Sequence, residues 1–187
     1  KLNTSISHNR IWSIRDAGPN SLWVGTSYGL NVYDKKTQEF KVFLPEPESV
    51  IASGNNQIRH ILQSTQGVLY LGTEGGVLAF NTQDETFRAI KAKNQNSIGK
   101  IYSLMEDNSG IIWAASDIGL FQLAPKQEEF SPVNMPNEGA IRIVFQDKQG
   151  IIWATSEVYG IYKITQNRIF FELDGDKLSS PNGLLRD

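Results

Sequence analysis

The chain has 187 residues, of which 40% are apolar and 20% are charged, and its formal net charge is −2. This balance excludes a protein that binds nucleic acid through bulk positive charge. The apolar content excludes a disordered chain, yet no apolar run approaches the roughly 18 residues of a membrane helix. Cysteine is absent, which excludes disulfides and thiolate metal sites.

Four stretches of the chain begin with an isoleucine and carry an aromatic residue twelve positions later. Each aromatic residue is followed by a pair of small residues and, a few positions on, by a glycine. The aromatic residues are 47, 43 and 40 positions apart, so the chain consists of repeats. The four pairs are Ile11 with Trp23, Ile58 with Tyr70, Ile101 with Trp113, and Ile141 with Trp153.

Each repeat is predicted to form four short strands, as the third repeat illustrates. Its first strand ends at the turn Asp107–Gly110, since Asp favours the first position of a type I turn and Gly the fourth. The next segment, 110–116, is apolar almost throughout, as expected for a buried strand. A tight turn at Gly119 leads to the third strand, and an outer strand follows around Phe130. No stretch combines helical periodicity with caps, so we expect essentially no α-helix.

Antiparallel units of this length are typical of β-propeller blades. A β-solenoid would repeat at roughly 20–30 residues, and a β-sandwich would not keep the twelve-residue offset four times. We therefore predict an all-β fold, a β-propeller of four four-stranded antiparallel blades at about 7–50, 55–93, 97–133 and 138–173. The repeat tryptophans Trp23, Trp113 and Trp153 are expected to fill the core between blades.

The repeat pattern I-x-x-I/L…D-x-x-G-x-x-W-x-G-T-x-x-G-L…F resembles the two-component regulator propeller repeat. The best matches are IWSIRDAGPNSLWVGTSYGLNVYDKKTQEF and IYSLMEDNSGIIWAASDIGLFQLAPKQEEF. Tyr70 departs from the pattern by replacing the tryptophan, and the Trp-x-Gly glycine is lost at Ala115 and Thr155. The resemblance implies the periplasmic sensor region of a bacterial membrane-bound signalling protein. A histidine kinase, hybrid regulator or diguanylate cyclase would then follow a downstream transmembrane helix.

The last segment, 174–187, resembles the beginning of the first repeat. We interpret it as the start of a further repeat, so the chain is expected to be a fragment of a larger propeller. A closed propeller of four blades and a ring of eight blades from two chains are both possible. Blades that do not close would expose apolar faces, which favour self-association.

The residues for metal or catalytic chemistry are few. His8 and His60 are a repeat apart and have no neighbouring ligand at metal spacing, so we expect no metal and no cofactor. Glu74, Asp117 and Glu157 occupy equivalent turns and would lie on one rim. They could form a cation or acid–base site, but we favour turn caps that accept backbone N–H groups.

The same rim offers the best surface for a ligand. Aromatic and charged groups in loops suit a sugar, an acidic metabolite or a peptide, although each could also be an ordinary solvated residue. We take nine residues as candidate ligand-binding residues: Arg10, Trp12, Tyr28, Arg59, Glu74, Tyr102, Asp117, Arg142 and Tyr159.

Three functions fit these features. The first is a periplasmic sensor module that binds a small molecule or a protein and relays this to a cytoplasmic output domain. The second is a propeller lyase or glycoside hydrolase that uses the carboxylate rim, and the third is a protein-interaction scaffold. We favour the sensor, without enzymatic activity in this region, without nucleic-acid binding and without a membrane span in this chain.

Overall fold

The computed structural model describes residues 2–46, 54–93, 97–165 and 168–172. These residues form antiparallel sheets in two compact units, Lys1–Ile90 and Lys91–Asp187. Apart from a single 3-10 turn at Gly54–Asn56, the described part of the chain has no helix, in line with the sequence pattern. The segment 174–187, which is predicted to begin a further repeat, lies outside the described residues.

The first unit contains two sheets in which strands that are consecutive in the chain pair with each other. Its first sheet has one strand more than predicted, because Leu2–Asn3 pairs along the outer strand. That sheet comprises β1 (Leu2–Asn3), β2 (Ile11–Asp16), β3 (Ser21–Thr26), β4 (Gly29–Asp34) and β5 (Phe40–Phe43), in the order β1-β5-β4-β3-β2. The second sheet comprises β6 (Ile58–Gln63), β7 (Leu69–Thr73), β8 (Val77–Asn81) and β9 (Thr86–Ile90), in chain order.

The second unit repeats this arrangement with four strands in each sheet. The outer strand of the third sheet has only two residues, and one of them is Pro132, which has no N–H to donate to a neighbouring strand. The third sheet comprises β10 (Ile101–Glu106), β11 (Ile112–Ser116), β12 (Gly119–Leu123) and β13 (Ser131–Pro132). The fourth sheet comprises β14 (Ile141–Gln146), β15 (Ile152–Ser156), β16 (Gly160–Thr165) and β17 (Arg168–Glu172).

The repeated glycine closes the hairpin between the second and third predicted strands of each repeat. In the first sheet Gly29 pairs with Thr26 across a two-residue loop and has φ of 105°. A left-handed backbone at this position favours glycine. The buried Thr26 hydroxyl donates to the Gly29 carbonyl and accepts the N–H of Tyr28. The small hydroxyl residue of the repeat therefore stabilises the turn that the glycine permits.

The aspartate of the repeat connects a turn to the tryptophan in the second unit. One Asp107 carboxylate oxygen accepts the N–H groups of Ser109 and Ile111, and the other accepts the indole N–H of Trp113 at 2.8 Å. Asp147 makes the same bond to Trp153. The spacing D-x-x-G-x-x-W thus follows from one carboxylate that holds both the turn and the ring.

The repeat tryptophans are not equally buried. Trp23 and Trp113 are 9% and 6% exposed and belong to the cores of their units. Trp153 is only half-buried, so the expectation that it fills a core is wrong. Trp23 packs against Phe80 of the second sheet, whereas among the described residues of the second unit no sheet after the fourth covers Trp153 in the same way.

Apolar side chains are exposed on the first and the fourth sheet. Ile11 and Ile14 are 47% and 52% exposed, whereas Ile58 and Ile61 at the equivalent positions of the second sheet are fully buried. On the fourth sheet, Phe145 is 58% exposed. Faces of this kind are expected where a propeller blade lacks a neighbour.

Candidate functional site

A β-bulge occurs at the beginning of the first repeat strand in all four sheets. The pairing register shifts between the isoleucine that begins each repeat and the residue two positions later. The residue between them is left out of the strand pairing, and a bulge of this kind redirects its side chain. These four bulge residues are Trp12, Arg59, Tyr102 and Arg142, all of which belong to the predicted ligand-binding set.

In the first unit, the bulge residues of the two sheets stack on each other. The guanidinium carbon of Arg59 lies 4.0 Å from the centroid of the Trp12 ring, and that of Arg10 lies 5.4 Å from it. Arg59 also forms an ion pair with Glu74, which comes from the turn between β7 and β8. The Trp12 indole N–H donates to the Ser27 hydroxyl at 3.0 Å. We call Arg10, Trp12, Arg59 and Glu74 the first cluster.

In the second unit, the equivalent residues form a second cluster, which consists of Lys100, Tyr102, Arg142 and Glu157. The guanidinium carbon of Arg142 lies 4.0 Å from the centroid of the Tyr102 ring, and the guanidinium donates to Glu157 at 2.7 Å. This hydrogen bond is the main reason why the pKa of Arg142 is raised above its ordinary value. The ammonium nitrogen of Lys100 lies 5.6 Å from the centroid of the same ring.

The two clusters follow one spacing rule. The bulge residue contacts the turn residue fifteen positions later in three of the sheets, as in Arg59 with Glu74 and Arg142 with Glu157. In the first sheet, Trp12 bonds Ser27 at the same spacing. The prediction of the binding set omitted Lys100 and Glu157. This fifteen-residue spacing is the sequence signal that could have included Glu157.

The three turn carboxylates do not act alike. Asp117 accepts the backbone N–H of Lys100 at 2.8 Å, as expected for a turn cap. Glu74 and Glu157 instead pair with arginine side chains. Glu74 belongs to the first unit and Asp117 and Glu157 to the second, and each of the three carboxylates has a partner of its own within its unit.

The two candidate tyrosines in the turns lie outside the stacked pairs. Tyr28 is half-buried in the loop between β3 and β4, next to Ser27. Tyr159 is half-buried in the three-residue loop between β15 and β16 and packs against the core of the second unit. Of the nine predicted residues, four therefore form the first cluster, and Tyr102 and Arg142 belong to the second.

His60 lies in strand β6 of the second sheet. Burial, together with the nearby Arg15, lowers its pKa to about 4, so the ring is neutral at neutral pH. Its Nε2 lies 3.4 Å from an Arg15 nitrogen, while its buried Nδ1 has no hydrogen-bond partner among the described residues. Within the same residues, no group of three or more acidic or histidine side chains could hold a metal ion.

No family model and no curated protein matches the chain. Among solved structures, two extracellular domains assigned to hybrid two-component systems of B. thetaiotaomicron are similar to it. The first is 23% identical over 93% of this chain with a TM-score of 0.74, and the second is 20% identical over 91% with a TM-score of 0.69. The chain spans 23% and 22% of those two proteins, about a quarter of their length.

A streptogramin B lyase is also similar, at 16% identity over 90% of this chain and 57% of the lyase, with a TM-score of 0.67. No helix in the described part of the chain is long and apolar enough to cross a membrane.

The predicted all-β propeller fold, with four antiparallel sheets as its blades, is confirmed. The chain thus shares its fold with extracellular domains of two-component system proteins, in line with the two-component regulator propeller repeat that its sequence resembles.

Proposed function

We propose that this chain is part of the extracytoplasmic sensor region of a bacterial signalling protein and that it binds a ligand at the rim clusters. The observation that carries the proposal is the pair of equivalent clusters, each with a β-bulge aromatic ring stacked on an arginine. Support for the cellular context comes from the extracellular domains that share the fold. The location would be periplasmic, and the output domain, a histidine kinase or a diguanylate cyclase, would lie elsewhere in the full-length protein.

The chemistry of the clusters suits recognition. Guanidinium groups that are fixed against a ring lose little further conformational freedom when they bind a ligand, which favours affinity. Trp12 is exposed, so its edge and the groups around it are accessible to a small molecule such as a sugar or a metabolite, or to a protein loop. Loops carried by a rigid sheet scaffold are the usual place for such sites.

A thermal-shift panel of organic acids, sugars and peptides on the 187-residue chain tests the proposal. We expect at least one compound to raise the melting temperature in a concentration-dependent manner and to lose its effect in Trp12→Ala, which removes the ring of the first cluster, or in Tyr102→Ala, which removes that of the second. Val158→Ala is the matched control, because Val158 is exposed in a turn and belongs to neither cluster. A panel without a hit, or a hit that both ring variants leave intact, would contradict the proposal.

The fold of the lyase makes a catalytic propeller the second candidate. In this chain, however, the carboxylates that would act as catalytic groups already have partners. Glu74 is paired with Arg59, and Asp117 accepts a backbone N–H. The double variant Glu74→Gln, Asp117→Asn distinguishes the two functions. A turnover activity that disappears in this variant would favour the enzyme, and the sensor proposal expects no activity in the wild type.

The exposed apolar faces support self-association as an additional property. Ile11 and Ile14 of the first sheet are exposed, whereas Ile58 and Ile61 at the equivalent positions of the second sheet are buried. We propose that this isoleucine pair of one copy packs against the exposed fourth-sheet face of a second copy, around Phe145. Light scattering would then report a dimer that Phe145→Glu dissociates, whereas a stable monomer that does not bind the dye ANS would contradict this.

A further inference from the structure

The two clusters occupy equivalent positions, but the turn residue beside them differs in charge. The first has two guanidinium groups, Arg10 and Arg59, against the single carboxylate of Glu74, which leaves one positive charge in excess. The second has Lys100 and Arg142 against Glu157, and Asp117 binds the backbone of Lys100. With Asp117 beside it, the second cluster therefore has two cations and two carboxylates, and no charge in excess. Ser27 stands in the first sheet where Asp117 stands in the third, and this exchange is the origin of the difference.

The side chain of Arg10 differs from that of Arg59, which is paired with Glu74. The Arg10 guanidinium lies against the Trp12 ring, and among the described residues nothing accepts a hydrogen bond from it. Stacking on a ring orients a guanidinium but does not satisfy its five N–H donors. Arg10 and Trp12 are both exposed, so a ligand can reach the donors.

A planar carboxylate is the group that a guanidinium fork matches best, through two parallel N–H···O bonds. We infer that the first cluster binds the carboxylate of a small organic acid through Arg10, beside the Arg59–Glu74 pair, and that the second cluster does not. This rests on the proposed function, because it specifies the chemical class of ligand at one of the two proposed sites. Glu74 would keep Arg59 in place during binding, so that Arg10 supplies the charge.

The indole N–H signals of the 15N-labelled chain provide the test. The Trp12 signal is identified with Trp12→Phe, while Trp113 and Trp153, whose indoles bond to aspartates, serve as internal references. We expect succinate to shift the Trp12 signal in a saturable manner and the neutral analogue succinamide to leave it unchanged. The Trp113 and Trp153 signals should stay in place.

The matched variants are Arg10→Gln in the first cluster and Lys100→Gln in the second. Loss of a charge-assisted hydrogen bond predicts that Arg10→Gln weakens succinate binding about tenfold or more, whereas Lys100→Gln should not change it. Arg10 is exposed, so the variant is expected to fold, and a thermal melt verifies this.

Equal shifts with succinate and succinamide, or equal succinate binding by Arg10→Gln, would overturn the inference. If succinate fails while a neutral compound of the panel binds at Trp12, the carboxylate inference fails and the sensor proposal stands. If neither succinate nor any compound of the panel binds, both fail.

Discussion

The two units of the chain use the same repeat but stabilise it with different chemistry. In the first unit Trp23 packs at 80° to Phe80, with ring centroids 5.9 Å apart, in a core rich in aromatic rings. In the second unit the Trp113 indole donates to Asp107, and aliphatic side chains dominate the core. The positions that Asp107 and Asp147 occupy in the second unit hold Ala17 and Ser64 in the first.

The rim clusters differ between the units in the same way. Both place a bulge aromatic ring 4.0 Å from an arginine of the next sheet, so the backbone dictates the contact. The charge around that contact depends on side chains that the fold leaves free to vary. The contact between ring and arginine is therefore a property of the repeat, whereas the charge around it is a property of the individual site.

The largest effect is expected from the aromatic core of the first unit. Trp23→Ala should reduce the free energy of unfolding by about 3–5 kcal/mol, since it removes a buried ring and leaves a cavity. Trp153→Ala should cost clearly less, because that ring is half-buried. Denaturant unfolding of both variants measures the difference. Equal losses would mean that Trp153 contributes to a core as much as Trp23 does.

A smaller effect is expected on the free energy of unfolding in acid, where protonation of His60 in the first unit should destabilise the fold. The folded pKa of His60, about 4, is below its ordinary value of 6.5, so the unfolded chain binds more protons between these values. Neutral His60 makes its full contribution to the free energy of unfolding above pH 6.5, and this contribution is lost as the pH falls to about 4. The loss should be on the order of 2 kcal/mol, since the half-buried ring keeps some contact with water.

Denaturant unfolding of the wild type and His60→Leu at pH 7, 5 and 4 checks this. The second unit has Ile143 at the equivalent position of its second sheet, so it offers no such titration. We expect the pH dependence between 6.5 and 4 to become shallower in His60→Leu. An unchanged dependence would show that other groups cause the loss.

The smallest effect is expected at the stacked arginines. Arg59→Met and Arg142→Met each remove a cation–π contact and an ion pair with a partly exposed carboxylate. We expect each to lower the free energy of unfolding by about 1 kcal/mol, and by similar amounts. A loss confined to one of them, measured by thermal or denaturant unfolding, would mean that the two contacts are not structural equivalents.

The repeat could be predicted from the sequence because it is a periodic pattern. Equal spacing from isoleucine to aromatic residue fixes the hairpins, and the turn glycines Gly29 and Gly119 have the positive φ that such turns need. The burial of Trp153 could not be predicted in this way. It depends on whether a neighbouring sheet is present, and a single repeat carries no information about its neighbour.

The candidate site was predictable only in part. Residue type and rim position singled out Trp12, Arg59 and Arg142, and the structure places all three at bulges. The sequence contains the fifteen-residue spacing from Arg142 to Glu157 and from Trp12 to Ser27, but the register of the hairpins is needed to show that these residues are in contact, because a bulge shifts which turn residue a side chain reaches. No strand pattern in the sequence marks such a bulge.

The central claim is that the first cluster binds the carboxylate of a small organic acid, whereas the second, its structural counterpart, does not. The most direct measurement titrates the wild type, Arg59→Met and Arg142→Met with succinate while the melting temperature is followed. We expect Arg59→Met to lose the succinate-induced shift in melting temperature and Arg142→Met to keep it. Retention of the shift in Arg59→Met, or its equal loss in both variants, would contradict the account.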